Sequence, residues 1–199
     1  MKKRPYRMGI RASAAERTLD RIYDSAFMLF RSRPFAEVTL QAVADAAGVT
    51  LQTVLRRCRS KEQLFTDAAA RQMELIFRDR ESPPAGGIEA IVRTIVASYE
   101  DMGDLNWRGV SQEGEFPLIK KLFDQARVRH RQWIAECFAE VIGPAQGKER
   151  ERRITLLFAA TDFYLWKLWR LDLGMSRSQT TAYMLDLVNA LAQQFRRER

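Results

Sequence analysis

The stretch AVADAAGVTLQTVLRRCRSKEQLF, residues 42–65, decides how this chain is read. A short helix-like run stops at Gly48, restarts at Thr50 and ends in Arg56, Arg57, Arg59 and Lys61. Just upstream, Thr39 opens the first helix, which carries Leu40, Val43 and Ala44 on one side. Ala46 and Ala47 are small, as a close approach of two helices requires. Gly48 can take a left-handed conformation with no Cβ penalty. Val49 then turns inward, Thr50 caps the second helix and Val54 packs back. Two short helices joined by a tight glycine turn make a helix-turn-helix. The second would present Thr50, Leu51, Gln52, Thr53 and Arg56 outward, and such a helix fits the major groove of DNA.

The positive cluster has a place in that geometry. Arg56, Arg57, Arg59 and Lys61 lie where the helix would leave the groove, and each can neutralise a phosphate and release counterions. Lys61 also stands at a helix N-terminus, where backbone N–H groups attract an anion, and Thr39 opens a helix in the same way. Gln52 can read adenine with two hydrogen bonds, and the methyl groups of Thr50 or Thr53 can touch a thymine methyl. A basic arm of Lys2, Lys3, Arg4 and Arg7 could follow the backbone or enter a minor groove. Taken singly these features are weak, because basic runs are usually solvated faces. Together they concentrate on one segment.

The charge is placed accordingly. Residues 1–64 hold 13 Lys/Arg and 6 Asp/Glu, whereas residues 65–199 hold 20 and 19, so nearly all of the net +8 falls in the first third. A concentrated charge implies a polyanionic partner. The hydrophobic share of 46% supports a folded core rather than a disordered chain. The apolar run 154–169 is interrupted by Thr155, Thr161, Asp162 and Lys167, so it is too short for a membrane span. The basic N-terminus lacks a following apolar stretch, so it is no secretory signal. A cytoplasmic protein is expected. Cys58 and Cys137 are best read as free thiols, and with the single His130 they make no metal site.

Apolar residues recur at three and four along the whole chain, which predicts an all-α protein of about nine helices. These are expected over about 14–32, 39–46, 50–57, 60–80, 88–102, 117–142, 148–173 and 177–196, with a looser stretch at 104–114. The segment SKEQ, 60–63, reads as a capping box. The domains are 1–64, a helix-turn-helix with its basic arm, and 65–199, a second helical domain.

Residues 16–68 resemble the N-terminal domain of TetR-family transcriptional repressors. The resemblance rests on RIYDSAFMLF, VTLQAVADAAGVTLQTVL and SKEQLF, with Leu29-Phe30, Ala47-Gly48-Val49 and Ser60-Lys61-Glu62 at the family's spacing. The chain departs from the family at Leu55, where a Tyr is usual, and at Arg57-Cys58, where His-Phe is usual. Pro34 replaces a glycine that often ends the first helix. The resemblance implies a homodimer that binds a palindromic double-stranded DNA operator, and C-terminal helices that form a ligand pocket and a dimer interface. It calls for no cofactor and no catalysis, and no carboxylate pair, Ser/His/Asp set or phosphate-binding glycine loop argues otherwise.

Candidate pocket residues for a small apolar or amphipathic effector are Trp107, Phe123, His130, Trp133, Phe158, Asp162 and Trp166. Each has a plainer reading: aromatic residues at helical spacing also build ordinary cores, and His130 can be a buried histidine satisfied by a neighbour. The helix over 148–173 is apolar nearly all round, which suits packing inward on one side and against a second copy on the other. The competing function is a nucleic-acid-binding module that does not read sequence and has no effector.

Overall fold

The computed structural model describes residues 6–78 and 84–198. Ten α-helices and no strand occur among them. The chain divides into two compact units, one of Met1–Ile76 with Ser111–Leu122 and the other of Phe77–Val110 with Phe123–Arg199.

In the first unit, α1 is Tyr6–Ser32, α2 Leu40–Ala47, α3 Leu51–Arg57 and α4 Lys61–Arg78. Helix α1 starts well before the expected residue 14, because the run YRMGIRAS holds no proline and only Gly9 among its eight residues is a poor helix former. Arg7 of the expected arm therefore lies within α1, while Lys2, Lys3 and Arg4 fall outside the described residues. Pro34 sets up a single 3-10 turn, Phe35–Glu37, between α1 and α2. The core is built from Ile22, Ala26, Phe30, Phe35, Val38, Val43, Val54 and Leu64. Phe30, Phe35 and Phe65 form a ring cluster with centroids 4.8–5.6 Å apart, and Phe116 adds its ring edge to Phe35 at 4.9 Å.

The second unit contains most of α5 (Gly87–Ser111) and α6 (Pro117–Cys137), then α7 (Ala139–Ile142), α8 (Gly147–Ala160), α9 (Phe163–Lys167) and α10 (Arg177–Arg197). A π-helical turn, Leu168–Asp172, follows α9. Val92, Ile95, Tyr99, Ile134, Phe138, Leu157, Trp166, Met184, Val188 and Phe195 belong to one core.

Three expectations are corrected here. The looser stretch at 104–114 is continuous α5 as far as Ser111. Its glycines serve packing instead of breaking the helix: a Cβ at Gly103 would enter the Trp166 ring, and one at Gly109 would enter the Phe123 ring. The single helix over 148–173 is divided at Thr161-Asp162. There Thr161 Oγ1 donates to the Leu157 carbonyl at 2.7 Å, and Asp162 caps α9 by accepting from the Tyr164 N–H at 2.9 Å. The helix over 117–142 likewise breaks at Phe138, which adopts φ −99° and ψ 21° between α6 and α7.

Candidate nucleic-acid interface

Helix α2 begins at Thr39, whose side chain accepts from the Ala42 N–H at 3.1 Å. It ends at Gly48 with φ +62°. The Val49 N–H reaches the Ala44 carbonyl at 3.0 Å and the Gly48 N–H reaches Asp45 at 3.2 Å, the paired bonds of a Schellman stop. A Cβ at Gly48 would meet nothing within 4 Å, so glycine is required for its backbone angle and not for space.

Thr50 caps α3 immediately afterwards. Its Oγ1 accepts from the Thr53 N–H at 3.2 Å and lies 2.9 Å from the Thr53 hydroxyl. Val54 is fully buried and anchors the helix from beneath. Cys58 ends α3 and is also buried, where desolvation pushes its thiol pKa up, helped by the negative charge of Asp67. The smaller cysteine thus fills a core position and is not a reactive thiol. With Val54 inward, Gln52, Leu55, Arg56 and Arg57 are exposed and Leu51 and Thr53 half-buried. Thr39 and Thr50 are exposed at the two helix starts.

Lys61 differs from its neighbours. Its ammonium donates to the Phe35 carbonyl at 2.9 Å and to Ala36 at 3.4 Å, and it lies 4.3 Å from the Phe35 ring centre. It therefore fastens α4 to the 3-10 turn, a role no local sequence signal marks. The capping box expected at 60–63 is half present: Ser60 accepts from the Gln63 N–H at 3.1 Å, but the Gln63 amide donates to Asp67 at 2.7 Å. The complete box stands at Ser176, where Gln179 bonds back to the Ser176 N–H at 2.9 Å. One turn spacing, i to i+4, gave Gln63 a carboxylate partner that outcompetes a single backbone N–H.

The residues expected around an effector are partly assembled in the second unit. His130 is buried between Trp133 and Phe158, with ring centroids at 6.1 and 5.5 Å. Its Nε2 lies 3.4 Å from the Tyr99 hydroxyl, which donates to the Thr161 carbonyl at 3.1 Å. Tyr99 in turn packs against Phe163 and Trp166 at 5.7 and 6.0 Å. Tyr99 was not among the expected residues. Asp162 caps α9, and burial raises its carboxyl pKa against the opposing effects of the Tyr164 N–H and Arg127. Phe123 packs on Gly109, and Trp107 lies beneath the Lys167 ammonium at 4.0 Å. Leu168 and Leu171 of the π turn, Leu173 just after it, Tyr183 and Leu187 of α10 and Tyr164 of α9 are all exposed. Tyr183 meets Trp169 edge-on at 6.1 Å, which joins α10 to the π turn.

Known proteins match this chain in two ways. A sequence profile of bacterial regulatory proteins of the tetR family matches residues 22–71, from the middle of α1 into α4. No curated protein matches the chain by sequence. Among solved structures, a tetR-family transcriptional regulator from Streptomyces coelicolor is similar at 18% identity over 90% of this chain and 88% of its own, with a TM-score of 0.70. A Mesorhizobium loti protein assigned to the tetR family of transcriptional regulators is 17% identical over 89% and 96%, with a TM-score of 0.72. A protein from Saccharomonospora viridis, assigned as a transcriptional regulator and in complex with choline, is 17% identical over 87% and 96%, with a TM-score of 0.68. The match in fold thus extends over both units, while the match in sequence is confined to the helix-turn-helix.

Proposed function

We propose that this chain, whose residues 22–71 match the profile of bacterial regulatory proteins of the tetR family, is a transcriptional repressor that binds a palindromic operator as a homodimer. One observation carries the proposal. Helix α3 is capped by Thr50 and pinned by buried Val54, so Gln52 and Arg56, four residues apart, share an exposed face, and Arg57 is exposed at the end of the helix. Gln52 suits an adenine edge and the arginines suit phosphates. Thr39 offers the start of α2 to a further phosphate. No described helix is long and apolar enough to cross a membrane.

The homodimer reading is supported by the exposed face of Tyr164, Leu168, Leu171, Leu173, Tyr183 and Leu187. Apolar groups gathered on one surface call for a partner, and an isologous pair would bury them as a four-helix interface. Two helix-turn-helix units then read half-sites about 34–36 Å apart, one DNA turn, or a multiple of it.

A small apolar or amphipathic effector is assigned to the second unit, around Tyr99 and His130. Their hydroxyl and ring nitrogen are the polar handles in an aromatic surround. Choline, held by the similar Saccharomonospora viridis protein, is the first class of ligand to screen. Effector binding would release DNA by favouring a separation of the two α3 helices that no longer fits both half-sites. That requires different affinities for the two states.

The test is selection of bound duplexes from a random pool. The expected outcome is an enriched palindrome of two half-sites. Salt-sensitive binding without an enriched motif would sink the operator reading and leave the non-specific module.

A further inference from the structure

Leu55 has no place in a surface made for phosphates. It lies on α3 between Val54, fully buried, and Arg56, exposed, and is itself 47% exposed. Among the described residues of α2 and α3 it is the large apolar side chain left most open to water. It is three residues from Gln52 and four from Leu51, so these three side chains are neighbours on the helix surface. Leu51 is half-buried and continues the apolar stripe toward the start of α3.

We propose that Leu55, backed by Leu51, determines operator specificity by packing on the 5-methyl group of a thymine next to the base that Gln52 reads. This rests on the operator reading above and adds the identity of a base. The occupant of this surface must carry negative charge for Arg56, Arg57 and Arg59 and an apolar group for Leu55. A major groove offers both together only where thymine places its methyl among the base edges. The hydroxyls of Thr50 and Thr53 face each other at 2.9 Å and serve the helix cap, so these residues offer the groove only their small methyl groups beside the larger Leu55. Leu55 has no hydrogen-bonding group, so it discriminates thymine from cytosine by the methyl alone.

The experiment uses the full-length protein and the duplex it selects. Thymines in each half-site are replaced one at a time by deoxyuridine, which removes only the methyl group. Affinity is measured for the wild type and for Leu55→Ala by fluorescence anisotropy. One position is expected to lose roughly three- to five-fold per half-site in the wild type, the range for one buried methyl-sized group. The same replacement should leave Leu55→Ala unchanged. Because Leu55 is exposed, the variant should melt with the wild type, which separates a lost contact from a lost fold. If no thymine is sensitive, or if the loss persists in Leu55→Ala, the proposal is overturned while the operator reading stands. If no duplex is selected at all, both are overturned.

Discussion

Arg170 closes on Glu100 through two parallel hydrogen bonds, Nε to Oε1 at 2.7 Å and Nη2 to Oε2 at 2.9 Å. The Trp166 indole N–H adds a third bond to Oε1 at 2.9 Å, and Arg170 Nη1 donates to the Met175 carbonyl. One carboxylate of α5 therefore holds the end of α9, the π turn and the approach to α10. That arrangement fixes the backbone that displays Leu168, Leu171 and Leu173.

The Arg170 hydrogen bonds hold the Glu100 carboxyl below its ordinary pKa, against the opposing effect of burial. A lowered folded-state value contributes stability that is complete above the unfolded pKa of about 4.3. It is lost as pH falls through the folded value. Glu100→Gln should therefore cost about 2 kcal/mol at neutral pH, the range for hydrogen bonds to charged groups. The gap from wild type should narrow between about pH 5 and pH 3. Urea unfolding at several pH values checks this, and a gap independent of pH would assign the loss to packing.

Gly48 and Gly103 should fail for opposite reasons when replaced by alanine. Gly48→Ala meets no atom but must hold φ +62°, so it should lose about 1 kcal/mol. Gly103→Ala drives a methyl into the Trp166 ring, and overpacking of this kind costs about 1–3 kcal/mol or more. Thermal melts rank the two. Trp166→Leu should rescue Gly103→Ala and leave Gly48→Ala untouched.

Thr180 is fully buried in α10, and its hydroxyl has no hydrogen-bond partner among the described residues. Thr180→Val keeps the shape and removes the orphaned polar group. The variant should be more stable by about 1 kcal/mol. A loss of stability on denaturant unfolding would show that the hydroxyl is satisfied in solution.

The exposed face on the π turn and α10 sets the oligomeric state in this account. Leu168→Glu with Leu187→Glu should shift sedimentation from dimer to monomer, because four buried charges per interface are uncompensated. Helical content should persist, since both side chains are more than 40% exposed in the single chain. Unchanged sedimentation would move the interface elsewhere.

The helix-turn-helix was legible because its signals are local. Thr39, Gly48, Thr50 and Val54 each act within a few residues, and the structure places them as caps, turn and anchor. The second unit was legible as helices but less so in its breaks. Asp162 reads as an interruption in an apolar run, yet it is the cap that starts α9. Gly109 falls in the stretch read as looser and Gly103 just before it, yet the rings that need their missing side chains come from other elements, Phe123 and Trp166. Glu100 and Arg170 are 70 residues apart, and no periodicity announces such a pair. Lys61 stood out for its charge, but its nearest acceptors come from the turn at Phe35.

The central claim is that α3 reads sequence through Gln52 while Arg56 and Arg57 hold phosphates. The most direct measurement is the ratio of affinities for the selected operator and a scrambled duplex, taken over a series of salt concentrations for wild type, Gln52→Ala and Arg57→Ala. Arg57→Ala should weaken both duplexes alike and reduce the salt slope by about 1. Gln52→Ala should weaken only the operator, by about 1–3 kcal/mol, with the slope unchanged. Equal wild-type affinity for the two duplexes would contradict the account.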